Sequence, residues 1–161
     1  MQFFFCQDST QIRYRESKTV VMYIEKNIYS CLCAVRVADA PEIGGILGGR
    51  AGVITHFVLD QGLKTNRTDF YIPNTVYLNE VLAQWQDGDI EFYGIFHTHP
   101  HGGEALSCAD KAYIDKIVRT CSKEEQSLYF PIILPKQEML AYSARSLNGD
   151  ITIQQEPIVF I

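Results

Sequence analysis

Ile90-Glu91-Phe92-Tyr93-Gly94-Ile95-Phe96-His97-Thr98-His99-Pro100, followed by Ser107-Cys108-Ala109-Asp110, reads as a strand that runs into a turn and then into the start of a helix. Strand side chains repeat every two positions, so the imidazoles of His97 and His99 project to one side. Asp110, on the next element, can come back to the same point and close a third bond. Two neutral imidazoles and one carboxylate make a three-ligand zinc site whose fourth tetrahedral position is open to solvent. Catalytic zinc keeps that opening, whereas structural zinc is closed by four protein ligands. The run therefore predicts one Zn2+ per chain, held by His97, His99 and Asp110.

Working upstream, Asn74 is placed to cap a helix through Gln86, with Val76, Tyr77, Val81 and Trp85 along it, and Asp87-Gly88-Asp89 stops it. Asp60 to Asp69 reads as a polar loop, and Tyr71-Ile72 as extended. Gly44-Gly45-Ile46-Leu47-Gly48-Gly49 and Val53 to Leu59 read as two strands around an Arg50-Ala51-Gly52 turn. Ile28, Cys31, Leu32 and Val35 form a helical stripe within Lys26 to Val37, with Asn27 as its expected cap and Asp39-Ala40-Pro41 as its end. Gln11 to Arg15 and Val20 to Ile24 read as strands. Downstream, a helix from Ser107 to about Thr120 turns Ala112, Ile114, Ile117 and Val118 inward. Lys123-Glu124-Glu125-Gln126 is a short exposed connection. Leu128 to Leu134, Met139 to Ser143 and Ile151 to Phe160 supply three more strands. Strands interleaved with helices give one α/β or α+β domain over residues 1–161, a mostly antiparallel or mixed sheet flanked by helices.

The bulk numbers exclude several classes. The chain has 161 residues, a net charge of −5, 47% apolar and 20% charged residues, as in ordinary soluble domains. Such a surface attracts neither nucleic acid nor an anionic membrane. No run reaches the roughly 18 apolar residues of a membrane span, and Met-Gln-Phe-Phe-Phe at the start lacks the charge and apolar length of a secretion signal. Cys6, Cys31, Cys33, Cys108 and Cys121 are an odd set without framework spacing, which fits reduced thiols and a cytoplasmic location.

Hydrolysis of an amide needs a group that takes a proton from water and passes it to the leaving nitrogen. Glu42 is the candidate, at the head of the glycine-rich strand, where Gly44 and Gly45 leave room for another backbone or a ligand. Glu42 with Gly-Gly-Ile-Leu-Gly, then His97-Thr98-His99-Pro100, then Ser107-Cys108-Ala109-Asp110, resembles the JAMM (MPN+) zinc metalloprotease signature. The pattern spans almost half the chain, and every motif position is filled. The resemblance implies a curved mixed sheet flanked by helices, the JAMM/MPN fold, with a layout related to cytidine deaminases. It also implies that His97, His99 and Asp110 bind zinc, that Glu42 is general base and then general acid, and that Ser107 hydrogen-bonds the oxyanion or the zinc-bound water. The deaminases' own His-x-Glu and Pro-Cys-x-x-Cys signatures are missing.

Simpler readings compete at several positions. Ser107-x-x-Asp110 is also a capping box for the helix that follows, and both roles are compatible in one serine. Glu42 beside Pro41 taken alone is a surface turn acid. His101 would close the zinc site if it were a ligand, so it reads as a rim residue. His56 reads as an ordinary strand residue, and Cys108 as a small buried apolar side chain. Tyr71, Tyr77, Trp85 and Tyr93 are expected in the core. Phe3, Phe4 and Phe5 fit an edge strand or an association surface.

By resemblance the chain is a stand-alone prokaryotic peptidase or isopeptidase. Its substrate would be the amide after the C-terminal tail of a ubiquitin-like modifier. E1- and E2-like proteins of an antiviral conjugation system are the expected partners. The alternatives are release of a ubiquitin-like sulfur carrier, a non-catalytic MPN scaffold, and a RadC-like protein, the last disfavoured by the acidic charge.

Overall fold

The computed structural model describes residues 20–35, 37, 41–63, 70–123 and 126–161. The expected strand at Gln11 to Arg15, the Phe3–Phe5 run, Cys6 and the Asp39-Ala40 helix stop lie outside these residues. The elements in chain order are β1 (Met22–Ile24), α1 (Lys26–Cys33), β2 (Gly44–Arg50), β3 (Val53–Asp60), α2 (Thr75–Asp87), β4 (Glu91–Thr98) and α3 (Cys108–Cys121). They are followed by β5 (Leu128–Tyr129), β6 (Ile132–Leu134), β7 (Glu138–Leu147), β8 (Asp150–Glu156) and β9 (Ile158–Phe160). The strands form one mixed sheet in the order β5-β7-β6-β4-β2-β3-β1-β9, with β8 on β7. The α/β class expected from the sequence is the class found.

Strand alternation builds a core on each face. Ile46, Ile95 and Ile132 point to one side, where Leu78, Val81 and Trp85 of α2 and Ile114 and Val118 of α3 cover them. Their neighbours Leu47, Phe96 and Ile133 point to the other, against Met22, Ile24 and Leu32. The central strands β2, β4 and β6 are thus buried on both faces and read as apolar runs. His97 shares the face of Ile95, so its imidazole emerges on the side of α3.

Several expectations need correction. Helix α1 starts at Lys26 with Glu25 as its cap residue, not Asn27, because the Glu25 N–H is already bonded to the Ile54 carbonyl and the chain turns there. It ends at Cys33, short of Val37. Along α2 the buried stripe is Leu78, Val81 and Trp85, and Val76 and Tyr77 face solvent at 71% and 40% exposure. Ala112 of α3 is exposed while Ile114 and Val118 are buried. Cys108 is exposed rather than buried. Leu128 to Leu134 is two short strands interrupted at Pro131, and Ile151 to Phe160 is interrupted at Pro157, since proline has no N–H for the ladder.

Candidate metal centre

The two histidines sit where β4 leaves the sheet. Backbone bonds to the β6 side fix both: His97 N–H donates to the Pro131 carbonyl and His99 N–H to that of Ile133. Thr98 faces the other way and fastens Ile43, through a 2.8 Å bond from its N–H to the Ile43 carbonyl and a 3.0 Å bond from the Ile43 N–H to its hydroxyl. Glu42 is therefore carried to the same end of the sheet.

Asp110 arrives from the first turn of α3. Ser107 caps that helix: its Oγ accepts the Asp110 N–H at 3.1 Å, and its own N–H donates to Asp110 Oδ2 at 2.7 Å. This is the reciprocal box foreseen in the sequence. Leu106, buried in the core beneath, anchors the loop just ahead of the cap. Accepting a bond uses a lone pair of the Ser107 hydroxyl and leaves its O–H free to donate.

Three side chains converge on one point. The Nε2 atoms of His97 and His99 are 2.9 Å apart, and Asp110 Oδ1 and Oδ2 lie 3.4 Å and 3.6 Å from them respectively. His99 Nδ1 donates to the Gly103 carbonyl at 2.6 Å, which leaves Nε2 as the lone-pair atom facing inward. Donor atoms of a tetrahedral zinc bonded at about 2.0–2.1 Å sit roughly 3.3 Å apart. The observed separations bracket that value, and a shared proton satisfies only one pair of these atoms whereas a cation satisfies all three. The residues fit zinc.

Electrostatics agree with the geometry. For Asp110, burial alone would raise the pKa, but hydrogen bonds and charge from His97 and His99, with the Ser107 bond, hold it far below the usual carboxylate range. For His99, burial opposes the charged ring, yet the bonds to Asp110 and Gly103 and the charges of Glu42 and Asp110 raise its pKa. Burial raises the pKa of Glu42, against the pull of His97, His99 and the Tyr71 N–H. Glu42 lines one cavity with His97 and Asp110.

Two residues outside the sequence-based candidates position Glu42. The Tyr71 N–H donates to Glu42 Oε2 at 3.3 Å, and the Tyr71 hydroxyl donates to Asp60 Oδ2 at 2.8 Å. Asp60, 4% exposed at the end of β3, also accepts from the N–H groups of Gly62 and Asn74. It ties Gly62 to Tyr71 and Asn74, whereas the sequence presented it as one acid of a polar loop. The room at Gly44 and Gly45 is likewise taken by the chain itself. A Cβ at Gly44 would overlap the Phe96 carbonyl and the Tyr71 ring, and one at Gly45 the Val58 carbonyl. His101 is exposed beside the site, and His56 packs edge-on to Trp85. Among the described residues, His97, His99 and Asp110 are the one cluster with the spacing of metal ligands.

The fold is shared with solved structures. The solution structure of a Desulfitobacterium hafniense protein superimposes with a TM-score of 0.61 at 19% identity, covering 88% of this chain and 93% of that one. A structure described as a JAMM metalloprotease-like zinc site in the proteasome and signalosome gives 0.46 at 14% identity, covering 87% and 99%. A JAB1/MPN domain protein from Archaeoglobus fulgidus gives 0.47 at 13%, covering 86% and 96%. No curated protein sequence matches. Residues 31–146, more than two thirds of the 161, match Prok-JAB, and the chain belongs to that family of prokaryotic homologs of the JAB domain.

Proposed function

We propose that this chain is a zinc-dependent peptidase or isopeptidase that hydrolyses the amide after the C-terminal tail of a ubiquitin-like modifier or a protein conjugated in the same way. The observation that carries the reading is the convergence of the His97, His99 and Asp110 donor atoms beside a cavity that the half-buried Glu42 lines together with His97 and Asp110. A zinc ion held by His97, His99 and Asp110 would supply a Lewis acid for the carbonyl and bring the pKa of water from about 15.7 toward roughly 7.

The residues do the rest. Glu42 takes the proton of the attacking water and carries it to the leaving nitrogen. Its raised pKa suits the second task, because a carboxyl that holds its proton closer to neutral pH is a better donor there. The Tyr71 N–H holds Oε2 in place during both transfers. The free O–H of Ser107 meets the oxygen that gains charge, and loss of one such donor commonly costs on the order of 3 kcal/mol. An extended tail that pairs with backbone at the cleft would bring the amide to Glu42. The setting we favour is a bacterial pathway with E1- and E2-like enzymes of the antiviral type.

Candidate ubiquitin-like modifiers fused through their C-termini to a reporter test the proposal. Metal-dependent release of the reporter is expected, abolished by a chelator and restored by zinc. Cleavage that survives complete metal removal would rule the mechanism out.

A further inference from the structure

Beside the ligand cluster lies apolar space that neither metal binding nor proton transfer requires. A cavity of about 120 Å3 opens at Glu42, His97 and Asp110 and is otherwise walled mainly by hydrocarbon: Ile95, Tyr113, Ile114, Phe130 and the half-exposed Phe70. Ile95 and His97 share one face of β4, so the apolar wall begins next to the metal ligand. Ile114 and Phe130 are each 2% exposed and belong to the core under α3, so the cavity is a dent in that core and not a surface fold.

Its chemistry selects an occupant. Among the described residues no lysine or arginine lines it, and beyond the two carboxylates its wall is apolar, so a charged side chain finds no partner there. A glycine would leave it empty, and empty apolar space is unfavourable. An apolar cavity of about 150 Å3 accepts benzene. This smaller one fits a branched or linear aliphatic side chain and is too small for an indole.

We propose that the cavity is a specificity pocket seating an aliphatic side chain, of leucine, isoleucine or methionine size, from a substrate residue adjoining the scissile amide. The assignment rests on the hydrolase reading above. A glycine on one side of that bond is compatible with it, since the side chain can come from the other side.

The test follows the isoleucine methyl groups of the zinc-loaded full chain by NMR during titration with N-acetyl-leucinamide, N-acetyl-glycinamide or N-acetyl-aspartamide. Only the leucine compound is expected to shift the Ile95 and Ile114 methyls. Ala109→Leu, which adds bulk at an exposed part of the lining, removes that response without lowering Tm. Phe130→Leu widens the pocket and adds a response to N-acetyl-phenylalaninamide. In parallel, quenched fluorogenic peptides varied at both residues flanking the bond are assayed. Leucine in one of the two positions is expected to raise kcat/KM about tenfold or more over glycine, the discrimination that apolar pockets give. Unmoved methyls, or an equal response to the glycine compound, overturn the pocket. Methyl shifts without any peptide or fusion cleavage would overturn the hydrolase reading, and with it the role in specificity, and leave only an aliphatic-binding cavity. Metal-dependent cleavage indifferent to the flanking side chains would overturn the specificity pocket and leave the hydrolase reading standing.

Discussion

Glu42 is half-buried, and ionising it costs more in the folded chain than in the unfolded one. The sign follows from its raised pKa. The penalty is absent below the usual carboxylate range and complete once the pH exceeds the folded value. In the metal-free protein Glu42→Gln is therefore expected to raise Tm at neutral pH and to leave it unchanged at about pH 3.5, where the carboxyl is protonated in both states. The same variant keeps its zinc and loses turnover by about 10²–10⁴-fold. Near-normal turnover would remove Glu42 from the mechanism.

Ser107 can be split into its two roles. Asparagine caps a helix about as well as serine, whereas alanine costs about 1 kcal/mol. Ser107→Asn should keep thermal stability and lose most turnover, while Ser107→Ala loses both; full activity in the asparagine variant would leave only the cap. His99 is expected to make metal binding pH-dependent. Its raised pKa means a proton competes with the metal above the ordinary histidine range, and binding must release it. Zinc affinity measured by chelator competition is expected to fall from about pH 8 to about pH 6, and an affinity flat across that window would contradict this.

At the scale of elements, the ends of β4 and α3 carry the His97, His99 and Asp110 cluster, and Asp60 and Tyr71, between β3 and α2, carry the support for Glu42. Asp60 accepts three hydrogen bonds there, from Gly62, Tyr71 and Asn74. Asp60→Ala leaves those donors unpaired and is expected to cost roughly 3 kcal/mol in a denaturant titration. It should also slow turnover by loosening Tyr71. Tyr71→Phe removes only the hydroxyl contact and should cost roughly 1 kcal/mol. Equal stability of both variants with wild type would show that the turn is held by something else. The convergence of His97, His99 and Asp110 and the helix cap were legible in the sequence because strand alternation and the capping box are short-range patterns. Asp60 was not. Its partners lie up to Asn74, and nothing local separates a buried acceptor from a solvated loop acid. The broken strands at Pro131 and Pro157 were marked by their prolines, yet at Pro131 apolar runs on both sides masked the break.

For the molecule as a whole, one sheet holds apart two cores and gathers the site at one end of its central strands. The interleaving of strands with helices made the fold class readable, whereas the sharing of Ile46 and Leu47, Ile95 and Phe96, and Ile132 and Ile133 between the two cores did not show in the sequence, because both members of each pair are apolar. Nor did the facing of α2, because Val76 and Tyr77 are as apolar as the residues actually buried. Among the described residues, no helix is long and apolar enough to cross a membrane. Zinc that binds only the folded chain adds stability by mass action, about 2.7 kcal/mol at a hundredfold excess over Kd.

Zinc-edge X-ray absorption on the purified, zinc-loaded full chain tests the central claim most directly. The expected spectrum has nitrogen and oxygen neighbours at about 2.0–2.1 Å with the signature of two imidazoles and no sulfur, and the imidazole signature weakens in His97→Ala. A sulfur shell at about 2.3 Å, or a first shell unchanged by His97→Ala, would contradict it.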